Sequence, residues 1–232
     1  MISAILIIGN AGSGKSVIVW YLGSLLDEDG VDIQYVSDRL GLEEGVIKDT
    51  KHARPDKDGI RIGKHSKFIA DGPPGFRKVH VLDGSLLNQV HKKMLKGLTK
   101  KGRDRFVLLE YAVGPDIDFG KTKEPLLQSV KHVVRMLKTY HLVDSVFVID
   151  VEASYSVREK RELRRRDAMA PETFRSYFPD GGQATKRDQK ILGTHYVRFS
   201  NTDEDHEWCF SEIKYIYEQR IRPKITPKFF RR

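Results

Sequence analysis

The chain has 232 residues, with 41 Lys+Arg against 32 Asp+Glu and a formal net charge of +9. That length suits one domain with room for inserts, and 39% hydrophobic with 9% aromatic residues is too apolar for a disordered chain. Cys209 is the only cysteine, which excludes an internal disulfide and points to a reducing cytoplasm, and no apolar run approaches the roughly 20 residues that span a bilayer.

Strand and helix patterns alternate along the chain. Residues 2–9 read as a buried strand, and 16–26 as a helix with Ile18, Tyr21, Leu22, Leu25 and Leu26 on one side. A second strand, 31–37, is closed by Asp38. Residues 39–78 are rich in Gly, Pro, Lys and Asp with weak periodicity, and read as an irregular insert. A short strand at 79–82 precedes a helix at 85–98 carrying Leu87, Val90, Met94 and Leu98. The apolar strand 106–109 ends at Glu110, and a helix is expected over 125–140. Another strand, 146–149, ends at Asp150, and a basic helix follows over 154–167. The strand 195–199 and a helix over 203–219 complete the domain, 1–219. Apolar strands separated by amphipathic helices predict an α/β fold of three layers, a mostly parallel five-stranded sheet with helices on both faces. Ligands of such sheets bind beyond the carboxyl ends of the strands, where Gly9, Asp38, Asp83, Glu110 and Asp150 are expected.

Gly9-Asn10-Ala11-Gly12-Ser13-Gly14-Lys15-Ser16 satisfies G-x-x-x-x-G-K-[ST] at every position, between the first strand and the first helix. The glycines allow successive backbone N–H groups to converge on phosphate oxygens, and the helix adds its positive end. In this motif Lys15 reaches the β- and γ-phosphates and the Ser16 hydroxyl ligates Mg²⁺, so ATP and Mg²⁺ are the expected cofactors.

On these residues the chain resembles the P-loop NTPases, and among them the nucleoside and nucleotide kinases of adenylate kinase-like type. The resemblance implies an acceptor-binding insert after the second strand (39–78), a Walker B-like acid at Glu110 holding Mg²⁺, and an arginine-bearing lid after the fourth strand (152–195). Arg158, Arg161 and Arg165 lie at i, i+3 and i+7, which a helix places on one face, where guanidinium groups could neutralise a transferring phosphoryl group. A solvated helix with Glu159 and Glu162 pairing to its arginines is the alternative. Asp38 is a candidate base for an acceptor hydroxyl, or a helix cap; Asp83 resembles the Asp-Gly of nucleotide kinases, or caps the helix beginning at Ser85. Asn201 and Thr202 are the expected contacts of the adenine ring, unless they serve a turn.

Two further motifs have simpler explanations. Thr185-Lys186-Arg187-Asp188 matches the guanine-reading [NT]-K-x-D but does not end an apolar strand, and Asp71-Gly72-Pro73-Pro74-Gly75 reads as a stiff corner. The pair His80 and His91 is expected to serve packing or solvent contact.

Six of the nine surplus charges fall in residues 220–232 (Arg220, Arg222, Lys224, Lys228, Arg231 and Arg232), read as a basic tail with the frayed character of many termini. The insert holds ten basic against six acidic residues, so the excess marks a phosphate-handling cleft more than a duplex-binding surface. The leading expectation is phosphoryl transfer from ATP to a small acceptor, a nucleoside or nucleotide. Rival readings are a nucleotide-dependent switch ATPase or GTPase, and a polynucleotide kinase-like protein that holds nucleic acid through the tail.

Overall fold

The computed structural model describes residues 1–69, 79–99, 104–164, 174–175, 178–201 and 206–231. Its centre is β1 (Ala4–Gly9), flanked on one side by β6 (Phe106–Ala112) and β2 (Ile33–Ser37), and on the other by β7 (Val146–Glu152) and β8 (Tyr196–Ser200). The order is β2-β6-β1-β7-β8 and every pairing is parallel. A parallel sheet needs cover on both faces, and the alternation of side chains along β1 supplies it. Ile5 and Ile7 join one apolar cluster with Ile18, Leu22 and Leu26 of α1 (Lys15–Glu28) and Ile213 of α7 (His206–Ile216). Ala4, Leu6 and Ile8 point the other way, towards Leu95 of α3 (Ser85–Gly97) and Val133 and Leu137 of α4 (Val130–Thr139). The three layers read from the sequence are present.

Several boundaries differ from expectation. β6 and β7 each run three residues beyond Leu109 and Ile149, so Glu110 and Asp150 lie inside strands, in register with Ile7 and Ile8 of β1. The expected helix over 125–140 begins only at Val130, because residues 126–129 are held extended: Leu126 bridges to Ile117, and Asp116 accepts the Gln128 and Ser129 amides. Ser129 then caps α4 by accepting from the His132 N–H.

The insert is more regular than its composition suggests. Helix α2 (Asp38–Thr50) starts directly at the end of β2, with Ser37 accepting from the Arg39 N–H as its cap. Its apolar pattern is weak because Leu40 and Ile47 are exposed while only Val46 and Thr50 are buried beyond the first turn. Gly41 and Gly45 face Val90 and Leu86 of α3, so the missing side chains let the two helices approach. A three-stranded antiparallel sheet follows, β3 (Ile60–Ile62), β4 (Ser66–Ile69) and β5 (Val79–Val81), separate from the parallel sheet. Asp49 fastens it to α2 by accepting from the His65 N–H and the Ser66 hydroxyl.

The basic C-terminal segment is not frayed. Ile221, Ile225 and Phe229 are buried in the cluster under α1, and Ile225 pairs in parallel with Ile2, the Ile2 N–H donating to Lys224 O and the Thr226 N–H to Ile2 O. The cations are engaged as well: Arg222 pairs with Asp29 at 2.7 Å, Arg231 with Asp27 at 3.0 Å, and Arg220 and Lys224 donate to the Tyr196 and Thr194 carbonyls. Three apolar anchors four residues apart drive the segment onto the sheet, and the charges decorate it.

Candidate active site

At the carboxyl end of β1 the chain enters the loop 9–16, which leads into α1. Gly14 stands at the N-cap position of α1 with φ 92° and no side-chain capping hydrogen bond, so no side chain caps the positive end of the helix. By contrast α2, α4, α5 (Tyr155–Leu163) and α6 (Lys186–Leu192) each have a Ser or Thr side chain as cap. Gly12, at φ 77°, is required by sterics too: a Cβ there would meet the Arg158 carbonyl oxygen at 2.6 Å, and one at Gly14 would run into the Asn201 amide.

Within the loop, Lys15 is buried and its Nζ donates to Asn10 O at 3.0 Å. Asn10 Oδ1 and Ser13 Oγ are buried without a hydrogen-bond partner. Beside the loop the Ser16 hydroxyl donates to Glu110 Oε1 at 2.6 Å, and the Tyr35 hydroxyl donates to Glu110 Oε2 at 2.5 Å. Burial first, and then the bond to Glu110, push the Tyr35 phenol up to about 12, so it remains a donor at neutral pH. Ser16 and Glu110 are 94 residues apart in sequence and are joined because β6 lies next to β1.

Asp38, the first residue of α2, lies beyond the end of β2 and is buried. Its Oδ2 accepts from the Ala112 N–H at 2.6 Å and faces His91 Nε2 at 3.4 Å. Burial alone would raise the Asp38 carboxyl; the facing His91 imidazole, the Ala112 amide and the Lys15 ammonium together hold it below the usual carboxylate range. His91 is fully buried and stacked on the Tyr111 ring, centroids 3.8 Å apart. At 3.4 Å the imidazole feels the carboxylate's charge without hydrogen-bond alignment, and its two ring nitrogens and the Tyr111 hydroxyl have no hydrogen-bond partner. Asp83, the other candidate acid, accepts from the Ser85 N–H and from His65 Nδ1, each at 2.8 Å, so it ties α3 to the small sheet.

The arginines of α5 divide. Arg161 Nη1 donates to Ser13 O at 3.3 Å and to Asn201 O at 3.2 Å, and Nη2 reaches Asn201 Oδ1 at 3.4 Å, so its guanidinium lies against the back of the phosphate loop. Arg158 does not share that role. Its side chain is fully buried between the Tyr155 and Phe174 rings and donates to Phe178 O and to Asp180 Oδ1 at 2.7 Å. A buried guanidinium with a carboxylate partner is a structural pin, which removes Arg158 from the expected phosphate-facing set. Arg165 and Thr202 lie outside the described residues, as does the Asp71–Gly75 motif.

Asn201 is committed to the loop: its Nδ2 donates to Ser13 O at 2.7 Å, and its backbone N–H donates to Glu152 O. That position supports the phosphate loop from behind, in place of the expected contact with a base. The Thr185-Lys186-Arg187-Asp188 motif is a reciprocal capping box on α6, with Thr185 Oγ1 accepting from the Asp188 N–H and Asp188 Oδ2 accepting from the Thr185 N–H.

Behind the loop lies a cavity of about 20 Å³, lined by Gly9, Asn10, Asp150, Glu152 and Gln183 among others, room for about one water. Asp150 is buried there and accepts from the Tyr196 hydroxyl at 2.8 Å. Burial pushes its carboxyl up to about 6 despite that bond.

Tyr35, His91 and Tyr111 were not legible as site residues. Tyr35 had a weak signal, two residues before Ser37 on a strand that ends at the site. His91 sits among the apolar positions of α3, four residues after Leu87 and four before Leu95, where a histidine reads as packing.

No protein-family model and no curated protein sequence matches the chain. Among solved structures, it is similar to a sugar kinase from Janibacter sp. at 8% identity, over 97% of this chain and 99% of that one, with a TM-score of 0.49. A shikimate kinase from Acinetobacter baumannii in complex with shikimate gives 12% identity, 97% coverage of both chains and a TM-score of 0.47. A protein from Thermus thermophilus gives 14%, 94% and 98% coverage, and 0.45. No helix among the described residues is long and apolar enough to cross a membrane. With its complete G-x-x-x-x-G-K-S loop between β1 and α1 and a parallel β2-β6-β1-β7-β8 sheet, the chain has a P-loop α/β fold.

Proposed function

We propose that the protein transfers a phosphoryl group from ATP to a small acceptor of the nucleoside or nucleotide class. The observation that carries this reading is the junction of Ser16 with Glu110 at 2.6 Å beside the phosphate loop, with the ionised, buried Asp38 at the end of the neighbouring strand. Ser16 and Glu110 offer a hydroxyl and a carboxylate, hard oxygen donors of the kind Mg²⁺ takes together with phosphate oxygens, so the residues fit that ion. When bound, Mg²⁺ supplies neutralisation of the phosphate charge that builds up in transfer.

The chain's own residues do the remainder. The loop amides and Lys15 grip the phosphates, and Tyr35 holds the Glu110 carboxylate in place from its other oxygen. Asp38 takes the proton from the acceptor hydroxyl as that oxygen bonds to the γ-phosphorus and the bond to the departing ADP oxygen breaks. His91 is a positioning residue that faces the Asp38 carboxylate and favours its ionised form, while the Ala112 N–H orients it. Arg161 braces the loop from behind at Ser13. The insert contributes Arg39, Arg54, Arg61, Lys64 and Lys67, with Arg77 outside the described residues, a balance of charge suited to an acceptor that already bears phosphate.

A transfer assay with labelled ATP over nucleosides, nucleoside monophosphates and short oligonucleotides, read by product mass, tests the proposal. A phosphorylated small acceptor is expected, absent with Lys15→Ala. ATP hydrolysis that ignores every acceptor and responds to a protein partner would establish the switch reading instead, and labelled oligonucleotide alone would establish the polynucleotide one.

A further inference from the structure

A groove of about 480 Å³ opens beside the first turn of α1, lined by Ser16, Val17, Trp20 and Phe210. Trp20 is 67% exposed and Val17 40%, on a helix whose other apolar side, Ile18, Leu22 and Leu26, is fully buried. Residues 17 and 20 share one helix face, and four residues of helix carry the indole only about 6 Å along the axis from Ser16. Phe210 is fixed by the Tyr21 ring, centroids 4.5 Å apart. The groove is therefore continuous with the phosphate loop, has an aromatic wall held in place, and contains no charged side chain among the described residues that line it.

We propose that this groove is the nucleobase subsite, in which the base of the nucleotide gripped by the loop stacks on Trp20. The proposal rests on the P-loop reading above and adds where the base goes, now that Asn201 is engaged with Ser13 and Arg161. Three features select a base over other occupants. The groove starts at Ser16, so a group one sugar away from the phosphates falls into it. An uncharged, aromatic lining suits a flat, neutral ring and rejects another phosphate. The four described side chains that line it form too small a surface for a stable protein interface, which needs roughly 800 Å² on each partner. Among the described residues Ser16 is the one hydroxyl in the lining, so stacking here grips a base without reading its edge, and loss of Trp20 weakens ATP and GTP alike.

The test uses the full chain carrying Trp208→Phe, which leaves Trp20 as the only tryptophan. Titration with ATP or GTP is expected to quench Trp20 fluorescence, whereas inorganic tripolyphosphate, which has the phosphates and no base, leaves it unchanged. By calorimetry, Trp20→Ala is expected to weaken ATP and GTP by roughly ten-fold each and to leave tripolyphosphate affinity as it was, with Trp20→Phe retaining most of the binding. If tripolyphosphate binds and Trp20→Ala holds ATP as tightly as the parent, the base subsite is wrong and the phosphate loop stands. If neither ATP nor tripolyphosphate binds the parent, both readings fall. Because the indole is exposed, these variants should fold, and unchanged thermal unfolding checks that.

Discussion

The two ends of the parallel sheet are built on opposite principles. At the amino end, the C-terminal segment closes over the strands: Ile221, Ile225 and Phe229 are buried, the backbone pairs with Ile2 and with Val31, and the Arg222 and Arg231 cations meet Asp29 and Asp27. At the carboxyl end, buried polar atoms of Asn10, Ser13, His91 and Tyr111 have no hydrogen-bond partner, and the buried Lys15 ammonium helps to hold the buried Asp38 carboxyl below its usual range. Each such atom costs about 1–3 kcal/mol. A fold bears that cost where a ligand will supply the partners, and the satisfied amino end offsets it. Stability and chemistry are thus assigned to different ends of the same strands.

Substitutions can break this division. The largest effect is expected from Lys15→Ala, which should lower phosphoryl transfer by at least about a thousand-fold in an initial-rate assay. A thermal midpoint within a few degrees of the parent would place the loss in the site and not in folding. At the other end, Phe229→Ala should cost about 3–4 kcal/mol in urea unfolding, since a fully buried ring packed edge-on against Phe106 is lost. Transfer per folded molecule should stay at the parent's level; a fall in turnover matching that of Lys15→Ala would mean that the two ends are coupled.

Asp150 sharpens the comparison, because it is a carboxyl end group whose native state prefers the proton. Its pKa of about 6 lies above the ordinary 3.8, so the folded state binds more protons between those values. Stability from this group is complete below pH 3.8 and is lost as pH rises through 6. Asp150→Asn, which retains an acceptor for the Tyr196 hydroxyl, should therefore gain on the parent by about 2–3 kcal/mol at pH 8, falling towards zero near pH 4. Urea unfolding at both pH values measures the difference, and an equal gain at both would remove the titration from the explanation. The smallest effect is expected from Arg222→Ala, where the half-exposed pair with Asp29 should contribute under about 1 kcal/mol and less in high salt.

Much of the fold was legible because its strands are short apolar runs and its helices amphipathic, and those patterns report burial directly. Where burial and composition parted, the reading missed. Helix α2 hid behind exposed Leu40 and Ile47 and two glycines that serve close packing against α3. The C-terminal segment looked like a solvated basic tail because six charges outweigh three anchors in a composition count, although the anchors decide where it lies. In the site, Glu110 was legible as an acid near a strand end, while Tyr35 on its second oxygen and His91 facing Asp38 were not, since a lone tyrosine or histidine gives no spacing to read.

What the sequence by itself determined is the phosphate loop, since eight adjacent residues between a strand and a helix carry its whole geometry in local backbone torsions and one lysine. What only the tertiary structure decided is everything that joins distant segments. It brought Ser16 to Glu110 and His91 to Asp38, separated Arg161, which faces the loop, from Arg158, which is buried against Asp180, and folded the basic terminus under the sheet. Helical spacing placed both arginines on one face, but which guanidinium lies against the phosphate loop depends on the carboxylates and rings that other segments supply, and no local pattern encodes those.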